Sequence, residues 1–209
     1  MLARQMTHDM LPKAQESPMW VSYETWLAAE ASSPVRHEYH DGVPVAMAGG
    51  TPEHGQLAAN MTYAISQALR IAQRPCIVYT SDVRIRIESV NRTYYPDASV
   101  VCGTPTRSAL DPHAITNPLL VLEVLSESTA AFDMGSKFSH YRLLPSLREY
   151  VLVHQNLPLV HVYFRHENGT WDILTAAGLE DEFPLQSLGL SLRMADVYYL
   201  VSGLGSLEE

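Results

Sequence analysis

An apolar run at residues 119–125 constrains the fold more than any other stretch, because it contains a single acid, Glu123. A run this short is too brief for a helix and is typical of a buried strand. An ionised carboxylate inside such a strand is unfavourable unless a positive charge lies close to it. Two interpretations stay open at this point: Glu123 pairs with a structural Arg or Lys, or it is a metal ligand.

The segment after this strand offers a cation for Glu123. Asp133, Lys137 and Tyr141 recur every four residues, beyond a turn rich in Ser and Thr. Side chains four residues apart lie on the same face of a helix. The spacing therefore predicts a helix over residues 133–144 that presents these three side chains together.

Local patterns predict the other elements. Ser22 is a good N-cap residue for a short helix, Asp41-Gly42 is the strongest short-range indication of a type I′ hairpin, and Pro52 suits the first turn of a long amphipathic helix. The predicted helices span residues 23–31, 52–73 and 133–144, and the predicted strands span the 36–47 hairpin, 76–80, 83–88, 98–102, 119–125, 150–153, 159–164 and 171–174. Strands that alternate with helices indicate an α/β or α+β fold, with one mixed central sheet flanked by helices.

Composition limits the classes of function. The chain has 209 residues, 46% of them apolar, which suffices for one domain with a real core. Its formal net charge of −9 argues against a protein that coats nucleic acid by bulk electrostatics, although a local basic strip beside an acidic metal site stays compatible with it. No stretch reaches the roughly 18 apolar residues of a membrane span, and the N-terminus lacks the apolar core of a signal peptide. We expect a soluble, cytoplasmic protein with no membrane partner.

The two cysteines, Cys76 and Cys102, each lie beside a predicted strand and lack CxxC spacing. A metal-binding or redox pair normally shows closer spacing. We therefore expect two small, buried, reduced side chains that pack as hydrophobic residues.

Three acids and a lysine suggest hydrolytic chemistry. Glu38 lies on the first arm of the hairpin, Asp97 follows Pro96 at the start of a strand, and Glu123 and Lys137 come later in the chain. Oxygen ligands of this kind hold a hard divalent cation such as Mg²⁺. The cation activates water for attack on a phosphodiester, while a lysine orients the water or neutralises charge in the transition state.

Three further residues carry weaker predictions. His54 lies in the first turn of the long helix, where a histidine is more often a capping or surface residue than a catalytic one. Arg84 and Arg86 alternate with apolar residues, so we expect them on a solvated strand face. Beside a nuclease site, such a face could contact phosphates.

The ordered segments HEYHDG, PEHGQL, YYPDASVV, LLVLEVLSEST, DMGSK and REYVLV resemble the Uma-type family of restriction endonucleases, within the PD-(D/E)XK nuclease superfamily. Pro96-Asp97 resembles the PD motif, and Glu123 corresponds to the second acid. Leu125 stands where the superfamily has lysine, and Lys137 matches the lysine that the Uma-type family places on the following helix. His154 departs from the family pattern, because many relatives have an aspartate there.

The resemblance implies a restriction-endonuclease-like fold and an endonuclease that hydrolyses DNA with Mg²⁺ or Mn²⁺. It implies that Asp97, Glu123 and the Val124 carbonyl hold the metal, that Glu38 binds the metal or a metal-bound water, and that Lys137 orients the nucleophile. His54 matches the family's helix-start histidine and Tyr141 its aromatic residue, both in supporting roles. The alternative is a nuclease-fold protein that does not cut and serves as a binding or assembly module.

The sequence contains no linker long enough to divide the chain, and the resemblance covers roughly residues 20–201. Residues 1–18 are expected to form a flexible leader, residues 19–203 a single nuclease-like domain, and residues 204–209 a C-terminal tail. An exposed edge strand would allow a homodimer, an expectation that rests on family habit more than on particular residues.

Overall fold

The computed structural model describes residues 20–47, 49–127 and 129–206. The predicted leader lies outside these residues, as does the end of the predicted tail. In chain order the elements are α1 (Tyr23–Glu30), β1 (His37–His40), β2 (Val43–Ala46), α2 (Pro52–Ile71), β3 (Cys76–Thr80), β4 (Arg84–Ile87), a 3₁₀ turn (Glu88–Val90), β5 (Arg92–Tyr94), β6 (Ala98–Cys102), β7 (Ala114–Ile115), β8 (Leu120–Leu125), α3 (Ala130–Phe132), a π-helical turn (Asp133–Lys137), α4 (Phe138–Tyr141), β9 (Glu149–His154), β10 (Leu159–Arg165), β11 (Trp171–Ala177), β12 (Glu182–Leu185), β13 (Leu190–Arg193) and α5 (Met194–Val197).

A six-stranded mixed sheet forms the centre of the fold, with the strand order β11-β10-β9-β8-β6-β3. The β8–β9 pair is parallel, and the other neighbours are antiparallel. All six residues of β8 are buried, as expected for an apolar strand that is covered on both faces. The predicted strand and the predicted α+β class with a mixed central sheet are therefore confirmed.

The two faces of β8 pack against different layers. Leu122 and Val124 belong to the core that α2 covers, together with Leu57 and Met61. The opposite face, with Leu125, packs in a second core beneath the 130–141 helical segment and the second sheet. Because successive strand residues point to opposite faces, Glu123 lies on the same side as Leu125, where the helical segment crosses.

A second sheet, with the order β2-β1-β5-β4-β7, corrects the expectation that one sheet contains every early strand. The chain leaves β3 at Thr80, turns, and enters β4 in the second sheet. The β1–β2 hairpin joins that sheet through pairing of Tyr39 with Thr93. Local patterns find the strands correctly, but the pairing partners depend on the tertiary fold.

The turn and cap residues behave as their chemistry predicts. Asp41 and Gly42 both have positive φ, 49° and 97°, as a type I′ hairpin requires. Ser22 and Thr51 are the N-cap residues of α1 and α2, and their side chains accept hydrogen bonds from the Thr25 and His54 amides. The start of α2, and with it His54, is therefore fixed in place.

The expectation for the cysteines is wrong. Cys76 and Cys102 stand opposite each other in the antiparallel β3–β6 pair, with 4.1 Å between their Cα atoms, and they form a disulfide. Cys102 is exposed rather than buried. The register between two strands that are distant in the chain brings the thiols together, and neither sequence spacing nor a CxxC motif could indicate it.

No helix in the part of the chain that the structure describes is long and apolar enough to cross a membrane. The central sheet ends in β3 and β11, so edge strands of the kind that the homodimer expectation needs are present. The homodimer itself stays a prediction, as do the domain limits.

Replacing both cysteines with serine should lower the free energy of unfolding by about 3 kcal/mol, because the disulfide closes a loop between residues 26 apart in sequence. Urea unfolding of the Cys76→Ser/Cys102→Ser protein against the unreduced parent measures this loss. Thiol titration of the denatured parent should find free thiols only after reduction. Two titratable thiols without reductant would contradict the disulfide.

Candidate active site

A π-helical turn brings the cationic side chain of the site over β8. Residues Asp133–Lys137 form this turn between two short α-helical segments, so the 130–141 segment is helical with an i→i+5 interruption. Such interruptions are frequent at functional sites. The turn faces the side of β8 that carries Glu123, and the predicted convergence of strand and helix is what the structure shows.

Lys137 is buried among three carboxylates, with a side chain that is 8% exposed. Its Nζ lies 2.8 Å from Glu123 Oε1, 3.4 Å from Glu38 Oε1 and 3.4 Å from Asp133 Oδ1. We call these four residues the Lys137 cluster. A buried ammonium needs such partners to balance the loss of hydration, and each carboxylate here comes from a different element.

Glu38 and Glu123 receive additional hydrogen bonds from neighbouring side chains. The Tyr141 hydroxyl donates to Glu123 Oε1 at 3.3 Å. On β1, His40 Nε2 lies 2.9 Å from Glu38 Oε2. These contacts hold the two carboxylates in fixed orientations, which a site for catalysis requires.

Asp97 is held by one backbone and one side-chain group. The Val124 amide donates to Asp97 Oδ2 at 2.7 Å, and His54 Nε2 donates to Asp97 Oδ1 at 3.0 Å. His54 is thus neither a cap nor a solvated surface residue. The Val124 peptide therefore contacts Asp97 through its N–H group. The metal-binding role of the Val124 carbonyl stays a prediction.

Burial and neighbouring charges shift the protonation of the Lys137 cluster. Burial raises the pKa of Glu123 well above its ordinary value; Lys137 opposes this rise, and Asp133 and Asp97 add to it. Burial alone would lower the pKa of Lys137, but Glu123, Glu38 and Asp133 hold it well above the ordinary value. Lys137 therefore stays an ammonium at neutral pH and cannot be a general base.

Burial and neighbouring groups also set the pKa values of Glu38, Asp133 and His54. Burial favours a higher pKa for Glu38, yet the Lys137 charge and the His40 hydrogen bond outweigh it and lower that pKa. The pKa of Asp133 is raised by burial, against the opposing charge of Lys137. The hydrogen bond to Asp97 raises the pKa of His54, which favours its cationic form.

The predicted catalytic residues line a single open cavity of about 590 Å³. Its walls include Glu38, Asp97, Glu123 and Lys137, and also His54 and Asp133. A separate cavity of about 420 Å³ lies between α2 and the β13–α5 region and contains none of these residues. The candidate chemistry is therefore confined to the larger cavity.

Within residues 20–47, 49–127 and 129–206, no three His, Cys, Asp or Glu side chains are arranged as a ready-made metal site. The Lys137 ammonium lies between three of the four acids instead. The donor set nevertheless fits a hard divalent cation in its chemistry, because four carboxylates share a cavity with one fixed positive charge. Asp97 lies outside the Lys137 cluster, and its carboxylate accepts hydrogen bonds from the Val124 amide and from His54.

Arg84 and Arg86 do not form the solvated basic face that the alternation suggested. Arg84 forms an ion pair with Asp111 and also contacts the Tyr95 hydroxyl. Arg86 is 4% exposed and lies 3.8 Å from the centroid of the Tyr23 ring. Helix α1 covers this strand face with aromatic side chains, so both guanidinium groups are occupied within the fold and lie outside the cavity lining.

Two site residues were missing from the predicted set. Asp133 shared the predicted helix face with Lys137, and its i,i+4 spacing was the indication of its position. His40 lies two residues after Glu38 on a strand, and that spacing places both side chains on one face. By contrast, His154 lies at the end of β9 with its ring 5.1 Å from the ring of His161.

The fold and the site define a restriction-endonuclease-like class of mixed α+β protein. A family model described as "Uma2: Putative restriction endonuclease" matches residues 20–195, and the chain belongs to this family. The resemblance inferred from the sequence segments is thereby confirmed. The roles of individual residues stay predictions.

Two proteins of Synechocystis sp. are similar to the chain. "Uncharacterized protein slr1290" is 34% identical over 178 residues, which cover 85% of this chain and 91% of the relative. "Uncharacterized protein sll1609" is 32% identical over 146 residues, with 70% and 81% covered. A crystal structure from Anabaena variabilis, described as a "putative nuclease belonging to DUF820", has a TM-score of 0.65 at 16% identity and covers 79% of this chain and 91% of its own. This last similarity shows the fold.

Replacing Lys137 with Met should lower the free energy of unfolding by about 3–5 kcal/mol near neutral pH, because it leaves buried carboxylates without their cation. The loss should shrink as the pH falls. Burial raises the pKa values of Glu123 and Asp133 in the folded state, and the Lys137 charge that opposes this rise is gone in the variant. The stability present at low pH therefore disappears as the pH rises through those values. Urea unfolding at several pH values measures both effects.

Arg142→Met is the matched control for this substitution, because it removes an exposed cation from the same part of the chain. It should change the free energy of unfolding by about 0.5 kcal/mol or less, with no pH trend. Equal losses in the two variants would show that Lys137 has no special electrostatic role.

Proposed function

We propose that the protein is a nuclease that hydrolyses DNA phosphodiester bonds with a divalent cation, Mg²⁺ or Mn²⁺. One observation carries the proposal: Lys137 lies within 3.4 Å of carboxylate oxygens from Glu38 and Glu123, in the cavity that Asp97 also lines. The family description supports the reaction class.

In this proposal Asp97 and Glu123 bind the cation, with Glu38 and the Val124 carbonyl as further oxygen ligands. When bound, the divalent cation supplies Lewis acidity, which favours attack by water and offsets negative charge on the phosphate. The water oxygen bonds to phosphorus and releases a proton to the solvent. The bond from phosphorus to the leaving oxygen breaks, and that oxygen takes up a proton from the solvent.

The protein's own groups have separate tasks. The Lys137 ammonium stabilises the added charge on the phosphate or orients the attacking water, and its raised pKa keeps it positively charged for this role. The hydrogen bonds from His54 and the Val124 amide fix the orientation of Asp97. The Tyr141 hydroxyl does the same for Glu123.

Asp97→Asn should reduce DNA cleavage by at least about a hundredfold, because the amide keeps the shape of the side chain and one acceptor oxygen but loses the ligand charge. Closed circular duplex and circular single-stranded DNA, each with and without Mg²⁺ or Mn²⁺, measure endonuclease activity without free ends. Asp172→Asn, an exposed aspartate outside the cavity, is the matched control. Equal cleavage by the parent and Asp97→Asn would contradict the assignment.

A second candidate is a nuclease-fold protein that binds or assembles without cutting. The net charge of −9 and the Lys137 ammonium already seated among three carboxylates favour it. The negative net charge weakens the attraction to a polyanion. The Lys137 ammonium already balances charge among the carboxylates, which reduces their need for a metal cation.

Titration with Mn²⁺ separates the candidates by stability. A cation that binds the native state and is present at a concentration of a hundred times its Kd adds about 2.7 kcal/mol to the free energy of unfolding. The Asp97→Asn variant should lose most of this gain. Thermal unfolding followed by fluorescence measures the shift. An unchanged melting temperature at millimolar Mn²⁺, together with no cleavage of any nucleic acid, would favour the non-cutting module.

A further inference from the structure

The charge of the large cavity limits how it could hold a nucleic acid. Among its described lining residues, Lys137 is the single one with a fixed positive charge, against four carboxylates. Lys137 is already within 3.4 Å of three of them. Duplex DNA is held mainly by a series of basic contacts to phosphates along both strands. The described lining of this cavity can bind one phosphate at Lys137, but it has no series of basic side chains that could follow a duplex backbone.

Five residues of the cavity lining offer contacts to an uncharged, planar group. Val45, Ala46 and Met47 line the cavity at the end of the hairpin, and His40 and Phe132 also line it. We call these five residues the apolar wall. The His40 and Phe132 rings stack with their centroids 5.7 Å apart and their planes at 23°. Aromatic side chains stack on the face of a nucleobase irrespective of which base it is.

Gln155 adds a polar group to the same cavity. Its backbone amide donates to the Leu125 carbonyl at 3.2 Å, which fixes it beside the strand that carries Glu123. Its side-chain Oε1 is shielded from solvent and has no hydrogen-bond donor among the residues that the structure describes. A buried acceptor without a donor favours a ligand that brings an N–H group.

The size of the cavity agrees with a small occupant. A volume of about 590 Å³ is in the range that encloses one drug-sized molecule, which corresponds to a nucleotide or two. A base in duplex DNA is stacked and paired, so it cannot reach such a cavity without leaving the helix. A base in a single strand is free to enter.

We propose that the site takes single-stranded nucleic acid, with one nucleobase against the apolar wall and the adjoining phosphodiester at the Lys137 cluster. This inference rests on the proposed nuclease function and specifies its substrate class. Gln155 accepts a hydrogen bond from the lodged base, and Phe132 supplies the stacking surface.

Binding is measured by fluorescence anisotropy in Ca²⁺, with a labelled single strand of about 12 nucleotides, the same sequence as a blunt duplex, and a single strand with abasic residues. The single strand should bind about tenfold or more tightly than either comparison probe, as loss of one stacked base predicts. Phe132→Ala and Gln155→Ala should weaken binding of the normal strand and leave binding of the abasic strand within about twofold. Phe164→Ala, which removes a ring outside the cavity, should leave the binding of both the normal strand and the abasic strand unchanged.

Cleavage of the same probes in Mn²⁺ distinguishes failure of this inference from failure of the proposed function. Faster cutting of the single strand, with the preference lost in Phe132→Ala, supports both. Equal or faster cutting of the duplex overturns the inference and keeps the nuclease function. Selective binding of the single strand without any cutting keeps the substrate class and overturns the catalysis. A protein that neither binds nor cuts any of the probes would overturn both the inference and the proposed function.

Discussion

The ion pair between Lys137 and Glu123 is the interaction on which the arrangement of the site depends. Their 2.8 Å contact joins the central strand β8 to the helical segment that crosses it. A carboxylate in a strand that is buried on both faces needs a cation, and a buried ammonium needs anions, so neither side chain is stable in this place alone. Glu38 then draws the hairpin of the second sheet toward the same point. Through its contacts with Glu123 and Glu38, Lys137 therefore connects the two sheets of the fold.

Local sequence chemistry predicts the elements better than it predicts their partners. The Asp41-Gly42 turn, the Thr51 cap and the buried strand around Glu123 depend on neighbouring residues, and the structure has each of them. The division into two sheets and the Cys76–Cys102 disulfide depend on pairing between distant segments, which no local pattern specifies. Arg84 and Arg86 show the same limit, because their partners on α1 and at Asp111 come from elsewhere in the chain.

The candidate site was predictable to the extent that its acids occupy unusual places. Glu123 within an apolar run and Asp97 behind a proline both contradict the ordinary preference for solvent, and such conflicts concentrate at functional sites. Asp133 and His40 show no conflict of this kind, since each is a polar residue in a mixed segment. Their positions follow from periodicity once the partner residue is known, which is why they emerge from the structure. The apolar wall and Gln155 have no such indication in the sequence.

The position of Leu125 has a consequence for how this site could change over generations. Leu125 is 3% exposed and packs in the core beneath the helical segment, on the face that Glu123 shares. A lysine at position 125 would replace core packing with a second buried cation beside the first. Each single-substitution intermediate between a lysine at position 137 and one at position 125 would have either two ammonium groups or none. Both intermediates would be destabilised, so the lysine cannot change position by single substitutions without a loss of stability.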